Sequence, residues 1–262
     1  MNESTYESTQ ATLNGNRLIR LTNQSFVNRP TLVFLHDSLG SIQLWRDFPI
    51  KLGQAVGCNI LVYERRGHGE SAQLVNSGRT VDYLERQADS LEELLNYCEI
   101  DDAILFGHSD GGSIALLAAA KFGHCIRAVI AEAAHIFVEE ITLEGIKQAV
   151  IQYETGDLKS RLSKYHKEKT ETLFWLWANT WLSPAYRNWT IVDFLPSIQC
   201  RVLIIQGEKD EYGTLGQVEG IANQITGVAS QFIVPDVGHT PHKEATTETL
   251  LRTAQFILEM LK

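Results

Sequence analysis

No stretch of this 262-residue chain stays apolar for the ~20 residues that a membrane-spanning helix needs. No basic segment leading into an apolar core opens it, so no secretory signal is expected and the cytosol is the expected compartment. Cysteine is scarce: Cys58, Cys98, Cys125 and Cys200 stand far apart and make no metal-ligand pattern. Free thiols in a reducing compartment, packed as small hydrophobes, are the expectation. Positive charge is in deficit, with 23 Lys and Arg against 32 Asp and Glu. The net charge of -9 argues against nucleic acid or an anionic membrane surface as a partner. No internal repeat or low-complexity segment interrupts the chain. A hydrophobic fraction of 44% and a charged fraction of 21% are those of an ordinary globular protein.

What is present is a rhythm. Residues 10–27 alternate polar and apolar around Asn14-Gly15, the pattern of an antiparallel hairpin. Short, nearly continuous apolar runs follow at 31–35, 59–63, 103–106, 127–131, 202–206 and 231–234, as strands buried on both faces should read. Helical stretches separate them. The clearest is 81–98, with Leu84, Ala88, Leu91, Leu94 and Leu95 on one face and Glu85, Glu92 and Glu93 on the other. Residues 113–122 and 245–261 are two more. Alternating strand and helix predicts a mostly parallel sheet of about eight strands with helices on both faces. Between about 135 and 198 no clean strand appears, only helical pieces at 139–154, 158–169 and 171–182. That is too long for a loop. The expected organisation is a core of residues 1–134 and 199–262 with a helical cap, 135–198, inserted.

One motif carries chemistry. The run Ile104-Leu105-Phe106 leads into Gly107-His108-Ser109-Asp110-Gly111, and an Ala/Leu-rich helix follows at once. Gly-x-Ser-x-Gly between a strand and a helix reads as a nucleophile elbow, in which the serine sits on a strained turn above the sheet. Alone, the motif occurs by chance in many chains. A serine hydroxyl also needs a base and an acid that orients the base, and after an elbow these follow in the order serine, acid, histidine. Two strand ends fit. The run 202–206 leads into Gly207-Glu208-Lys209-Asp210, and the run 231–234 into Pro235-Asp236-Val237-Gly238-His239. His239 is the candidate base, since His36, His68, His108, His135 and His242 fit the order or position less well. Asp210 is the candidate acid, with Glu132, at the end of the preceding strand, as its alternative. Asp236 reads as a solvated turn residue. An oxyanion hole requires two backbone donors, of which the amide of Asp110 is one.

These motifs, with Leu35-His36-Asp37-Ser38-Leu39-Gly40 and Tyr63-Glu64-Arg65-Arg66-Gly67-His68-Gly69-Glu70-Ser71, resemble the α/β-hydrolase superfamily, in its cap-bearing form, from about residue 10 to 260. The resemblance implies an α/β-hydrolase fold, no cofactor and no metal, and the amide of Ser38 as the second oxyanion donor. Many relatives carry glycine where this chain has Asp37. His36 and His68 are expected to bond backbone in their loops, His108 to pack or bond beside the elbow, and Arg65 to Gly69 to brace the sheet rim. Relatives that dehalogenate or open epoxides use aspartate at the elbow, so Ser109 points away from them. The Trp that follows Gly-Gly-Ser in proline-removing peptidases is absent.

The insert is rich in aromatics. Trp175, Trp177, Trp181 and Trp189 are four of the five tryptophans in the chain. Trp175, Trp177 and Trp181 are candidate pocket walls, with His135 and Phe137 just past a strand end; the competing reading is that such rings merely pack the insert onto the sheet. Lys159, Arg161, Lys164, Lys167 and Lys169 read as a solvated basic face. The expected function is hydrolysis of a small carboxylic ester, lactone or thioester through an acyl-enzyme. The alternatives are C–C bond hydrolysis of ring-cleavage products with the same triad, and a ligand receptor with slow hydrolysis. The expected partner is a small-molecule substrate, with no nucleic acid and no membrane; a homodimer is compatible with the sequence.

Overall fold

A computed structural model describes residues 6–74 and 78–262 of the chain. Strands β1 (Glu7–Leu13) and β2 (Asn16–Thr22) form the antiparallel hairpin. Its two-residue turn places Asn14 at φ 50° and Gly15 at φ 84°, the double positive φ that Asn-Gly tolerates. The hairpin starts earlier than its alternation suggests and stops at Thr22. There the Asn23 side chain accepts the Ser25 N–H at 2.8 Å and turns the chain into a short 3-10 segment.

The continuous apolar runs are β3 (Thr31–Leu35), β4 (Asn59–Glu64), β5 (Ala103–His108), β6 (Ile126–Glu132), β7 (Arg201–Gly207) and β8 (Ala229–Val234). The sheet order is β1-β2-β4-β3-β5-β6-β7-β8, parallel from β4 onward, with the hairpin joined antiparallel through β2. The runs read as continuous because each strand feeds two cores. Leu32, Phe34, Ile104, Phe106, Ile130 and Leu203 go to one face, and Val33, Leu35, Leu105, Val129 and Ile204 to the other. Fully burying each Leu, Ile or Phe side chain contributes roughly 1.5–3 kcal/mol.

Helices α1 (Phe48–Val56), α2 (Tyr83–Tyr97), α3 (Asp110–Lys121), α4 (Glu140–Thr155), α5 (Leu158–His166), α6 (Thr170–Trp181), α7 (Leu215–Gln224), α8 (Pro241–Glu244) and α9 (Thr246–Met260) cover these faces and supply the insert. Phe48 and Leu52 of α1 and Phe256 and Ile257 of α9 complete one core, and the Leu84–Leu95 stripe of α2 with α3 the other. The apolar periodicity does not mark α1 or α7. Gly53 in the first, and Gly216 and Gly220 in the second, lower local helix propensity, and packing against the sheet overrides it.

Helices α4 to α6 lie between β6 and β7 and pack over the ends of the strands. His166 of α5 accepts the Gly69 N–H at 2.9 Å and donates to the Leu39 carbonyl at 2.8 Å, tying the insert to two core loops. Lys169 departs from its expected solvated face. It is buried, and its ammonium donates to the carbonyls of His68 and Ser71. Lys159 does stay at the surface, paired with Glu171 at 2.6 Å. All four cysteines are free, with Cys58 and Cys98 buried. Among the described residues no helix is long and apolar enough to cross a membrane.

Candidate active site

Ser109 stands between the end of β5 and the start of α3 with φ 55° and ψ −120°. This is a conformation that a side-chain-bearing residue adopts only when its surroundings enforce it. Here its N–H donates to the Glu132 carbonyl at 2.8 Å, and its own carbonyl accepts the N–H groups of Gly112 and Ser113. The flanking glycines are required by contact. A Cβ on Gly107 would overlap the Gly111 carbonyl, and one on Gly111 would overlap the Leu35 carbonyl.

His239 reaches this serine from the turn after β8. Its Nε2 lies 3.0 Å from Ser109 Oγ, and its Nδ1 lies 2.9 Å from both oxygens of Asp210. The carboxylate is an acceptor only, so Nδ1 carries the proton and Nε2 turns a lone pair to the hydroxyl. Asp210 is itself held, by Gln206 Nε2 at 2.6 Å and the Tyr212 N–H at 2.8 Å. The turn is fixed by Glu244, whose carboxylate accepts the N–H groups of Gly238 and Thr240 at 2.9 Å each. The His239 carbonyl accepts His108 Nε2 at 2.8 Å.

The electrostatics follow from this geometry. Burial works against a charged His239 ring, but the adjacent Asp210 carboxylate outweighs it and holds the imidazole above its ordinary range. Burial likewise pushes Asp210 up, while the His239 charge and hydrogen bond overcome it and hold the carboxyl below the usual range. Burial and the nearby His239 keep His135 neutral by lowering it.

Above Ser109 lies a cavity of about 100 Å³, and Ser38, Asp110, His135, Trp177, Trp181 and His239 are among its lining residues. As the first residue of α3, Asp110 has no intrahelical partner for its N–H. Two of the expected walls lie elsewhere. Phe137 bridges Thr190 and packs beside α7 near Gly220, because its strand end turns it away from the serine. Trp175 stacks edge-on against Tyr153 and Phe174 inside the insert and faces outward, one residue out of phase with Phe174 and two from Trp177. Leu39, Thr142, Ile146 and Tyr212 also line the cavity, and only tertiary packing brings them there. Leu39 lies in the loop motif beside Ser38, and no sequence motif marks the other three.

The remaining candidates have their own partners. Glu132 is fully buried and accepts both the N–H and the Nδ1–H of His242, at 2.6 and 2.5 Å, and does not bond His239. Burial pushes the Glu132 carboxyl up, but His242 outweighs it and holds it below its usual range; burial keeps His242 neutral. His108, Glu132 and His242 present ligand-type atoms within 4.8 Å of one another. Those of Glu132 and His242 are already committed to each other. His36 and His68 bond backbone, at Asp37 and Ser38. Arg65 donates to the Asp37 carbonyl at 2.6 Å, bracing the loop before Ser38. Asp37 pairs with His108 at 3.3 Å and accepts the Leu39 N–H, so its carboxylate holds the loop that glycine shapes in relatives. Asp236 lies at the surface, paired with Lys209.

A doubly covered parallel sheet with a serine on a strand-to-helix elbow defines the class. Residues 32–252 match the model of the Alpha/beta hydrolase family, and the chain belongs to that family. Among curated proteins it is similar to serine hydrolase BPHL of Mus musculus, 25% identical over 200 residues, covering 70% of this chain and 64% of the relative. BPHL of Homo sapiens is 24% identical over the same extent. The chain thus spans under two thirds of the length of these relatives. Among solved structures it resembles the meta-cleavage product hydrolase CumD of Pseudomonas fluorescens IP01, with a TM-score of 0.76 at 15% identity, covering 96% of this chain and 97% of that one. A carboxylesterase structure from Nitrososphaera gargenis gives a TM-score of 0.73 at 18% identity, over 96% and 99%. At these identities the structural likeness concerns the fold.

Proposed function

We propose that this chain is a serine hydrolase that cleaves a small carboxylic ester, lactone or thioester through an acyl-enzyme. The observation that carries the reading is His239, which spans from Ser109 Oγ at 3.0 Å to Asp210 at 2.9 Å. In this reading His239 removes the hydroxyl proton as Ser109 attacks the carbonyl carbon. The N–H groups of Ser38 and Asp110 receive the oxyanion, and Asp210 orients and stabilises the imidazolium. The imidazolium protonates the leaving alkoxide or thiolate. Water, deprotonated by the same ring, then attacks the acyl-enzyme and releases the acid. The insert, residues 135–198, acts as a cap through Trp177 and Trp181, which exclude bulk water from the serine.

The lining narrows the substrate. Its walls are apolar at Leu39, Ile146, Trp177 and Trp181, and the cavity is small. Two of its lining residues each carry a buried polar atom without a partner among the described residues, Asp110 Oδ1 and His135 Nδ1. His135 Nε2 faces the Tyr212 carbonyl and so carries the proton, which leaves Nδ1 an acceptor. Neither atom is reached from the cavity, but its acidic lining favours a cationic group, and we read the preferred substrate as a small ester bearing an amino group. The described lining residues include the acids Asp37 and Asp110 and no Lys or Arg, which disfavours the carboxylate-bearing diketo acids of ring-cleavage hydrolases.

The test is labelling with a fluorophosphonate probe. Wild-type protein is expected to label and Ser109→Ala to remain unlabelled. Equal labelling of the two would overturn the assignment of Ser109.

A further inference from the structure

Tyr83 has a cavity on either side of it. Its hydroxyl donates to Asp110 Oδ2 at 3.0 Å, at the wall of the catalytic cavity, and its ring forms part of a second depression of about 330 Å³. The walls of that depression carry Arg65, Arg66, Arg79 and Arg86, with no acidic side chain among the described lining residues. In a chain of net charge -9, four arginines line one groove.

Their partners show which charges remain available. Arg86 is paired with Asp82 at 2.9 Å. Arg66 donates to the carbonyls of Gln73 and Asn14 and has no carboxylate partner among the described residues. Arg65 is only 4% exposed; its Nη2 holds the Asp37 carbonyl, and its Nη1 is buried with no partner among the described residues. Arg79 lies 4.6 Å above the Tyr83 ring, and its Nη1 is likewise buried and unpartnered. Arg66 and Arg79 have no carboxylate partner among the described residues, so the groove presents positive charge to an acceptor that it does not itself provide.

Guanidinium forks match the oxygens of carboxylates and phosphates. A carboxylate brings one charge and two oxygens in one plane. A phosphate brings close to two charges and three oxygens spread in space, which suits donors arriving from the loop after β4 and from the approach to α2. We infer that this groove is a binding site for a small phosphate-type anion, either free phosphate or a phosphate monoester, separate from the catalytic serine.

The experiment is calorimetric titration of the full chain with inorganic phosphate, phenyl phosphate and acetate at fixed ionic strength. Saturable 1:1 binding of either phosphate, at least tenfold tighter than acetate, is expected, and the tighter of the two phosphates identifies the source. Arg79→Gln, which leaves the Asp37 contact intact, should weaken the binding tenfold or more, and Arg65→Lys should also weaken it. Ser109→Ala should bind as wild type does, which keeps this site distinguishable from the catalytic reading. Binding no tighter than acetate, binding indifferent to Arg79→Gln, or binding lost in Ser109→Ala would each overturn the inference.

Discussion

His242 donates its Nδ1–H to Glu132 at 2.5 Å, wholly inside the protein and separate from the pair formed by His239 and Asp210. Two carboxylate–histidine pairs therefore stand at adjacent strand ends, and only one of them faces a serine. Their variants should separate. Asp210→Asn keeps the shape but loses the charge that orients His239, and kcat should fall by about 10⁴ with little change in stability. Glu132→Gln strips a buried pair of its charge. It should cost about 3 kcal/mol of stability, while kcat of the remaining folded protein stays within about tenfold. Denaturant titration with steady-state kinetics on both variants checks this, and the reverse pattern would make Glu132 the working acid.

The pH dependence has a defined sign. The proposed mechanism needs a neutral His239, and Asp210 holds that ring above its ordinary range of about 6.5. Activity should therefore fall as the pH drops through a value higher than 6.5. In Asp210→Asn the raising influence is gone, and the acid limb should move to lower pH while its plateau collapses. A kcat/KM profile of each protein reads this directly, and an unmoved limb would mean that another group controls it.

Stability should show a second pH effect. His36, His68 and His166 are buried, and burial lowers all three, His36 and His68 strongly. The folded state thus favours their neutral forms. The stability this brings is complete above the unfolded value of about 6.5 and declines as the pH falls below it. Each group contributes up to about 1.4 kcal/mol per pH unit. His166 also needs its neutral Nδ1 to accept the Gly69 N–H. Thermal unfolding between pH 7 and pH 5 should show a falling Tm, less steep in a His166→Asn variant.

The Asp110 side chain tests the substrate reading apart from the mechanism. Asp110→Asn keeps the backbone N–H for the oxyanion. For an amino-bearing ester, kcat/KM should fall by about tenfold to a hundredfold, the loss of a charge-assisted hydrogen bond. The analogue lacking the amino group should be nearly unaffected. An equal loss on both esters would place the effect on the Tyr83 contact instead. Steady multiple turnover on either ester would also separate an enzyme from a receptor that hydrolyses slowly.

The elbow predicts its own failure. Gly111→Ala would drive a Cβ into the Leu35 carbonyl, a backbone atom in the central sheet that cannot yield. A destabilisation of at least about 3 kcal/mol is expected, seen as loss of soluble folded protein or as a sharply lowered denaturation midpoint.

Much of this protein is local in origin. Continuous apolar runs, the stripe on α2 and the Gly-x-Ser-x-Gly turn depend on neighbours within a few residues, so strands, helices and the strained serine could be read in order from the chain. The position of Asp210 and His239 just past strand ends was legible for the same reason, since parallel strands deliver their following loops to one edge. Side-chain direction within the insert was not. Trp177 and Trp181 line the cavity while Trp175 does not, because a helix spaced at 3.6 residues per turn puts near neighbours on different faces, and Phe137 is drawn aside by its bridge to Thr190. Whether Glu132 served His239 or His242 also depended on where a loop 110 residues away would fall. By itself the sequence determined which residues could do chemistry. The tertiary structure decided which of them meet, which are spent on bracing one another, and that Asp110, His135, Arg65 and Arg79 keep polar atoms without a partner among the described residues, because those outcomes depend on contacts between segments far apart in the chain.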